Sequence, residues 1–172
     1  MQLLFRQPAC VAIAGCLLAL VGSTAAAQGR SGPRSIDACS VLTQAELEQA
    51  IGKKIRSQKV PPSQPASVGV SVCMWSTADG RRSVSVTTYG PEAVARTQAR
   101  TIDTYYESLK TANANQTGTR AKVLPGVGRK ASYFPAGSGN TVLVLRADCL
   151  VLMNIAGMTP EEIGKIAKAA GS

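Results

Sequence analysis

The stretch SVGVSVCMWSTADGRRSVSVTTY, from Ser67 to Tyr89, decides the fold. Val68, Val70, Val72 and Met74 point one way, while Ser71, Cys73 and Trp75 point the other; this period of two is that of a strand. Ala78-Asp79-Gly80-Arg81 supplies the chemistry of a tight turn, and Ser83 to Tyr89 alternates again. Two such runs around a Gly-containing turn predict an antiparallel pair.

Downstream, Gly90-Pro91-Glu92 opens a helix with proline at its first position. Ala95, Ala99, Ile102, Tyr106 and Leu109 recur at helical spacing, which predicts one helix ending near Thr111. Ala112 to Gly118 reads as a polar loop, and Pro125-Gly126-Val127-Gly128 as a turn after Val123-Leu124. Three strands are expected next, near Lys130 to Phe134, Thr141 to Arg146 and Cys149 to Ile155. The last two are almost wholly apolar, which places them at the sheet centre or beside a buried edge. Thr159 and Glu162 form a capping box, stapled by Met158 and Ile163, ahead of a helix with Ile163, Ile166, Ala167 and Ala170 on its buried stripe.

Upstream, Thr43 and Glu46 make a second capping box, Leu42 staples onto Leu47, and Gly52 stops a short helix over 44–51. Ser57 to Ala66, with Pro61, Pro62 and Pro65, is a polar connection. The order is α-ββ-α-βββ-α. It predicts a single α+β domain over residues 37–172, an antiparallel sheet of about five strands with helices mainly on one face.

Residues 1–27 carry one cation, Arg6, then an apolar run from Ala9 to Val21, then Ala25-Ala26-Ala27. That order is a secretory signal, with cleavage expected between Ala27 and Gln28 and a disordered leader over 28–36. Ile13-Ala14-Gly15-Cys16 offers a competing lipobox, in which Cys16 would be lipidated. It would leave Leu17 to Val21 exposed on the product, where a polar tether is usual. The expectation is a periplasmic or secreted protein, touching a membrane only if Cys16 carries lipid.

The 172-residue chain has a formal net charge of +9. Its cations are scattered in small groups, as on a solubilising surface. With export and only 4% aromatic residues, nucleic acid is not an expected partner, because a single-strand binder needs stacking platforms. An anionic envelope component is a natural alternative.

There is no histidine, which removes Ser-His-Asp and Cys-His catalysis and the commonest metal ligand. Beyond residue 27 the cysteines are Cys39, Cys73 and Cys149, with no C-x-x-C pair to suggest zinc or thioredoxin-like redox chemistry. Export makes one disulfide the default, and all three pairings are open. Joining Cys39 to Cys73 would close a loop of about 35 residues, worth roughly 4 kcal/mol in the chain-entropy picture. Gly126-Val127-Gly128 lacks the helix and Lys-Ser/Thr of a phosphate loop. Glu46, Glu161 and Glu162 are engaged at helix starts, and Asp103 with Glu107 reads as a solvated helix face. No catalytic residue, metal or cofactor is assigned.

Asp37-Ala38-Cys39, Val41-Leu42-Thr43, Glu46-Leu47, Ile51-Gly52 and Cys73-Met74-Trp75 together resemble the DACxLLTxxE…CxW pattern of small exported bacterial proteins of unknown function, common among actinobacterial lipoproteins. Gly126-Val127-Gly128 with Ala131 and Tyr133 resembles the second half of that family. The resemblance covers most of the chain, about Ser35 to Ala170. It implies an α+β domain akin in layout to LpqN-like lipoproteins and the extracellular sensor domain of PknH-like kinases, with Cys39 bonded to Cys73, and it carries over no catalytic residue. Arg129 and Lys130 depart from it, because family members often have an acidic residue after the glycine turn.

The expected function is therefore a non-catalytic module that binds an envelope protein or an anionic envelope component. Its candidate contact surface is Arg129, Lys130, Tyr133 and Phe134. The alternative, from another class, is a hydrolase or thiol-dependent enzyme, for which Cys149 is the one conspicuous group.

Overall fold

The computed structural model describes residues 36–59, 69–137 and 139–172. The expected signal, its cleavage point at Ala27 and Gln28, Cys16, residues 28–35 of the leader and most of the proline-bearing connection lie outside these residues. The described chain is α+β, with one antiparallel sheet and helices on both of its faces.

Two short helices come first, α1 over Ala38–Val41 and α2 over Gln44–Ile51. The capping box that starts α2 is present as expected, with Thr43 and Glu46 bonded reciprocally. Strand β1, Ile55–Lys59, then pairs with β2, Val70–Thr77, which pairs with β3, Ser83–Tyr89. At the entry to β1, the Ile55 N–H donates to Glu48 Oε1 at 3.1 Å and its carbonyl accepts from Gln44 Nε2 at 2.9 Å. Side chains of α2 thus take up main-chain groups of a strand. The Gln44 amide, followed by Lys54 and the Ile55 amide, pulls the Glu48 carboxyl down to about 2.

The long helix expected after Pro91 is two helices, α3 over Pro91–Ala95 and α4 over Ile102–Thr117. Thr97 breaks the run, because its hydroxyl donates back to the Val94 carbonyl and accepts from the Ala99 N–H. Arg100 then takes a positive φ of 60°, and Thr101 caps the new helix. At its other end α4 continues through the stretch expected to be a loop. Asn113 and Thr117 donate to carbonyls four residues back, at 2.8 and 2.7 Å, so their polarity is absorbed by the helix itself.

The second half adds β4 over Lys122–Val123, β5 over Lys130–Ala136, β6 over Gly139–Leu145, β7 over Leu150–Ala156 and α5 over Pro160–Ala170. The sheet has seven strands in the order β1-β2-β3-β7-β6-β5-β4, rather than about five. The two additions, β1 and β4, are the edges; a strand paired on one side needs little apolar residue, and neither shows an apolar alternation. The apolar β7 sits in the middle, buried on its first-core face and covered on the other face at its Leu150 end, while Asn154 further along is exposed.

The first core packs α1, α2 and α5 against Cys73, Trp75, Val84, Val86, Val144, Val151 and Met153 on one face. Cys39 and Cys73 are joined by a disulfide, with Cα atoms 5.2 Å apart, which staples α1 to β2. On the opposite face Tyr106 of α4 gathers Phe134, Leu143, Leu145 and Leu150 into a second core. The Tyr106 and Ser132 hydroxyls meet at 2.7 Å inside it, so neither polar group is left bare. Helices are therefore mainly, but not wholly, on one face.

The glycine turn is structural. Val127 is buried in the first core, and Gly128, at φ +53°, lies so near β6 that a Cβ would stand 2.7 Å from the Leu145 carbonyl oxygen. A bulkier residue there would have to displace main chain.

Candidate functional site

Helix α4 covers only part of its face of the sheet, and the remainder is an open groove. The register builds its floor. Met74 of β2 lies opposite Ser85 of β3, Ser85 opposite Asn154 of β7, and Asn154 opposite Thr141 of β6. Residues directly paired across strands share a face, so these four form one row standing away from the first core. Ser83, one step of two along β3, continues the floor toward the hairpin.

The wall is the second half of α4, which presents Leu109, Ala112, Asn113, Gln116 and Thr117. Because α4 seats on β5 and β6 through Tyr106 and Leu109 and meets β3 at Tyr89 through Tyr105, the outer side of β2 and β3 around Met74 and Ser85 stays open. Met74 is 40% exposed there. The groove has a volume of about 860 Å³, within the range of sites that take organic ligands or segments of chain.

Among the described residues that line the groove, none is charged and none is aromatic. Its polar groups are hydroxyls and primary amides, and part of the Asn113, Asn140 and Asn154 amides is already committed. Thr141 Oγ1 donates to Asn154 Oδ1 at 3.3 Å, and Asn113 Nδ2 donates to the Leu109 carbonyl at 2.8 Å. Such a site can hold a neutral partner through hydrogen bonds and apolar contact. It offers no acid, base or nucleophile of shifted reactivity.

The surface expected from the sequence is dispersed. Phe134 is fully buried beneath α4, and Tyr133 is turned into the first core with its hydroxyl donating to Asn140 Oδ1 at 2.9 Å. Alternation sends these neighbours to opposite faces, and both faces are covered at this strand, so neither ring forms a contact surface. Arg129 and Lys130 are half exposed, but α4 neutralises them. Both Arg129 Nη atoms reach Asp103 at 3.2 Å, and Lys130 Nζ reaches Glu107 Oε1 at 3.3 Å. Lys130 also stands 5.9 Å above the Tyr106 ring. The acidic pair that read as a solvated face is the counter-charge of the basic turn.

Cys149 is a free thiol, fully buried in the first core. Burial, with some help from the adjacent Asp148 charge, pushes it up to about 12. A buried thiol so far from ionisation presents no nucleophile at neutral pH.

What sequence reasoning missed is the groove, although part of its signal was visible. The alternation that set Met74 against Cys73 and Trp75 marks two faces of β2, and on the paired strand the Met74 face carries serines where the other carries Val84 and Val86. Ser83 and Ser85 repeat the pattern on β3. Among the described residues, no helix is long and apolar enough to cross a membrane. The chain matches no known family model, no curated protein and no solved structure.

Proposed function

We propose that this protein is an exported, non-catalytic binding module of the cell envelope, and that the groove between α4 and the outer side of β2, β3 and β7 is its contact site. The single observation carrying the reading is that groove, about 860 Å³ in volume, with an uncharged, hydrogen-bonding lining among the described residues. Three further features support it. Residues 1–27 follow the order of a secretory signal, a disulfide joins Cys39 to Cys73 as suits an oxidising compartment, and the free thiol of Cys149 is inert by burial.

This reading moves the contact surface away from Arg129 and Lys130, whose charge is already answered by Asp103 and Glu107. The test is capture of solubilised envelope material by the tagged protein, compared with Ser85→Trp, which fills the groove, and with Arg129→Gln combined with Lys130→Gln. Capture lost with the first and kept with the second is the expected outcome. The reverse pattern would return the site to the basic turn. Mass spectrometry of the exported protein should find Gln28 at its start; a lipidated Cys16 there would instead make it a membrane-anchored lipoprotein.

A further inference from the structure

The fold answers many of the chain's cations with a carboxylate. Arg129 and Lys130 meet Asp103 and Glu107, Arg146 meets Asp148, and Lys165 meets Glu161. One corner is different. Ile55 pairs with Thr77 and Arg56 with Ser76, so the residues just ahead of β1 come beside the β2–β3 turn. There Lys53, Arg56 and Arg81 are exposed, with no ion pair or side-chain hydrogen bond among the described residues. The nearby carboxylates are committed. Glu48 takes Lys54 at 2.9 Å and the Ile55 N–H, Glu162 takes Arg82 at 2.7 Å, and Asp79 takes the Thr77 hydroxyl and the Arg81 N–H. Lys53 and Arg81 both act on Asp79 through charge, so a single carboxylate faces two cations and the corner keeps an excess of positive charge.

We propose that this corner is a second contact surface, separate from the groove, and that it takes a flexible polyanion whose phosphate groups repeat along the chain. The main chain beneath the cations is fixed before anything binds: Gln44 and Glu48 hold Ile55 beside Arg56, and Arg82 ties the turn that carries Arg81 to α5. Such preorganisation lowers the entropic penalty of association. Ile55 is buried in the first core, so alternation sends Arg56 to the opposite, open side, whereas Lys53 and Arg81 stand at the turn. The cations therefore pass round an edge. A flat bilayer meets one side of such an edge, and a flexible chain can follow it. Two of the three are arginines, whose forked donors suit phosphate. A tetrahedral phosphate turns its oxygens in several directions, as groups on both sides of an edge require, where a planar carboxylate does not.

The test is calorimetric titration of the purified protein with linear polyphosphate. Binding should weaken roughly a hundredfold when salt rises from about 50 to about 500 mM, as for three phosphate contacts on a single strand. Combining Lys53→Ser, Arg56→Ser and Arg81→Ser should weaken low-salt binding about tenfold or more. Arg96, Arg120 and Lys122 are also exposed and without an ion pair among the described residues, but they lie at the end of α3 and beside β4. Changing those three to serine removes the same charge elsewhere and should alter binding by less than about threefold. Arg56→Lys with Arg81→Lys keeps the charge and should keep the salt dependence. Equal loss in the two triple variants overturns the site and leaves net charge as the cause. Absence of binding at low salt overturns it as well. Polyglutamate bound as tightly as polyphosphate overturns the phosphate assignment. Binding to vesicles of phosphatidylcholine and phosphatidylglycerol in a three-to-one ratio, lost in the corner variant and without polyphosphate binding, overturns the polymer in favour of a membrane surface.

Discussion

Arg82 and Glu162 lie 80 residues apart in sequence and meet at 2.7 Å, Nη1 to Oε1. The contact locks the turn of the β2–β3 hairpin onto the first turn of α5. Glu162 is also the capping-box carboxylate of that helix, accepting the Thr159 N–H at 2.8 Å. That backbone bond first, and then Arg82, hold its carboxyl below the usual range. Arg82→Met should cost about 1 kcal/mol, the scale of a partly screened ion pair with one good hydrogen bond. A lowered carboxyl contributes stability above its ordinary pKa and loses it as pH falls through the folded value. Thermal unfolding from pH 7 down to pH 3 should therefore show the Arg82→Met deficit shrinking toward the acid end.

Glu48 gives a second acid-sensitive contact. Its carboxyl is held at about 2 against an ordinary 4.5, so its contribution is present above pH 4.5 and fades as pH falls toward 2. Glu48→Gln should lower stability at pH 7, flatten the profile across that window and bring the two proteins close together near pH 2. An acid titration followed by circular dichroism checks it; identical profiles for the two proteins would reject the assignment.

The staple between Cys39 and Cys73 closes a separation of 34 residues. Replacing both cysteines by alanine should lower stability by roughly 4 kcal/mol, measured by urea unfolding. Dithiothreitol should reproduce the loss in the native protein and have no effect on the double variant.

Cys149 should resist thiol reagents in the native state. In the protein cleaved after Ala27, labelling with a chromogenic disulfide should report no fast-reacting thiol before unfolding and one afterwards, because burial and a pKa of about 12 withhold the thiolate. A rapid native reaction would restore the thiol-enzyme alternative.

Gly157 follows β7 at φ +70°, and a Cβ there would overlap the Arg81 carbonyl oxygen. Gly157→Ala combines a left-handed backbone with a main-chain clash, and it should cost more than about 1 kcal/mol. Denaturant midpoints compared with Gly137→Ala, where no atom lies within 4 Å of the added Cβ, separate the clash from the backbone cost alone.

Much of the fold was legible where local chemistry and burial agree. The β2–β3 hairpin, both capping boxes and the apolar central strands are written in periodicity and in cap residues. Illegible parts were those where a partner element supplies what the residues lack. Strand β1 has one clearly apolar residue, Ile55, and exists because β2 and α2 receive its main chain. The break before α4 depends on Thr97 turning back on Val94, which competes with a stripe that otherwise continues unbroken. Tyr133 and Phe134 look alike as neighbours in sequence, and only the covering of both sheet faces shows that each is buried. The groove was hidden for a related reason: its emptiness is set by where α4 sits, which no single segment records.

An open sheet ends in strands whose main chain is free to recruit another chain, and long flat edges of this kind seed fibres. Here α2 stands guard at one border. With Ile55 held by Gln44 and Glu48 and Arg56 exposed beside it, an incoming strand from a second copy meets occupied bonding positions and a repelling cation. The opposite border is only two residues long. The fold thus limits edge-to-edge polymerisation while one face of the sheet stays open.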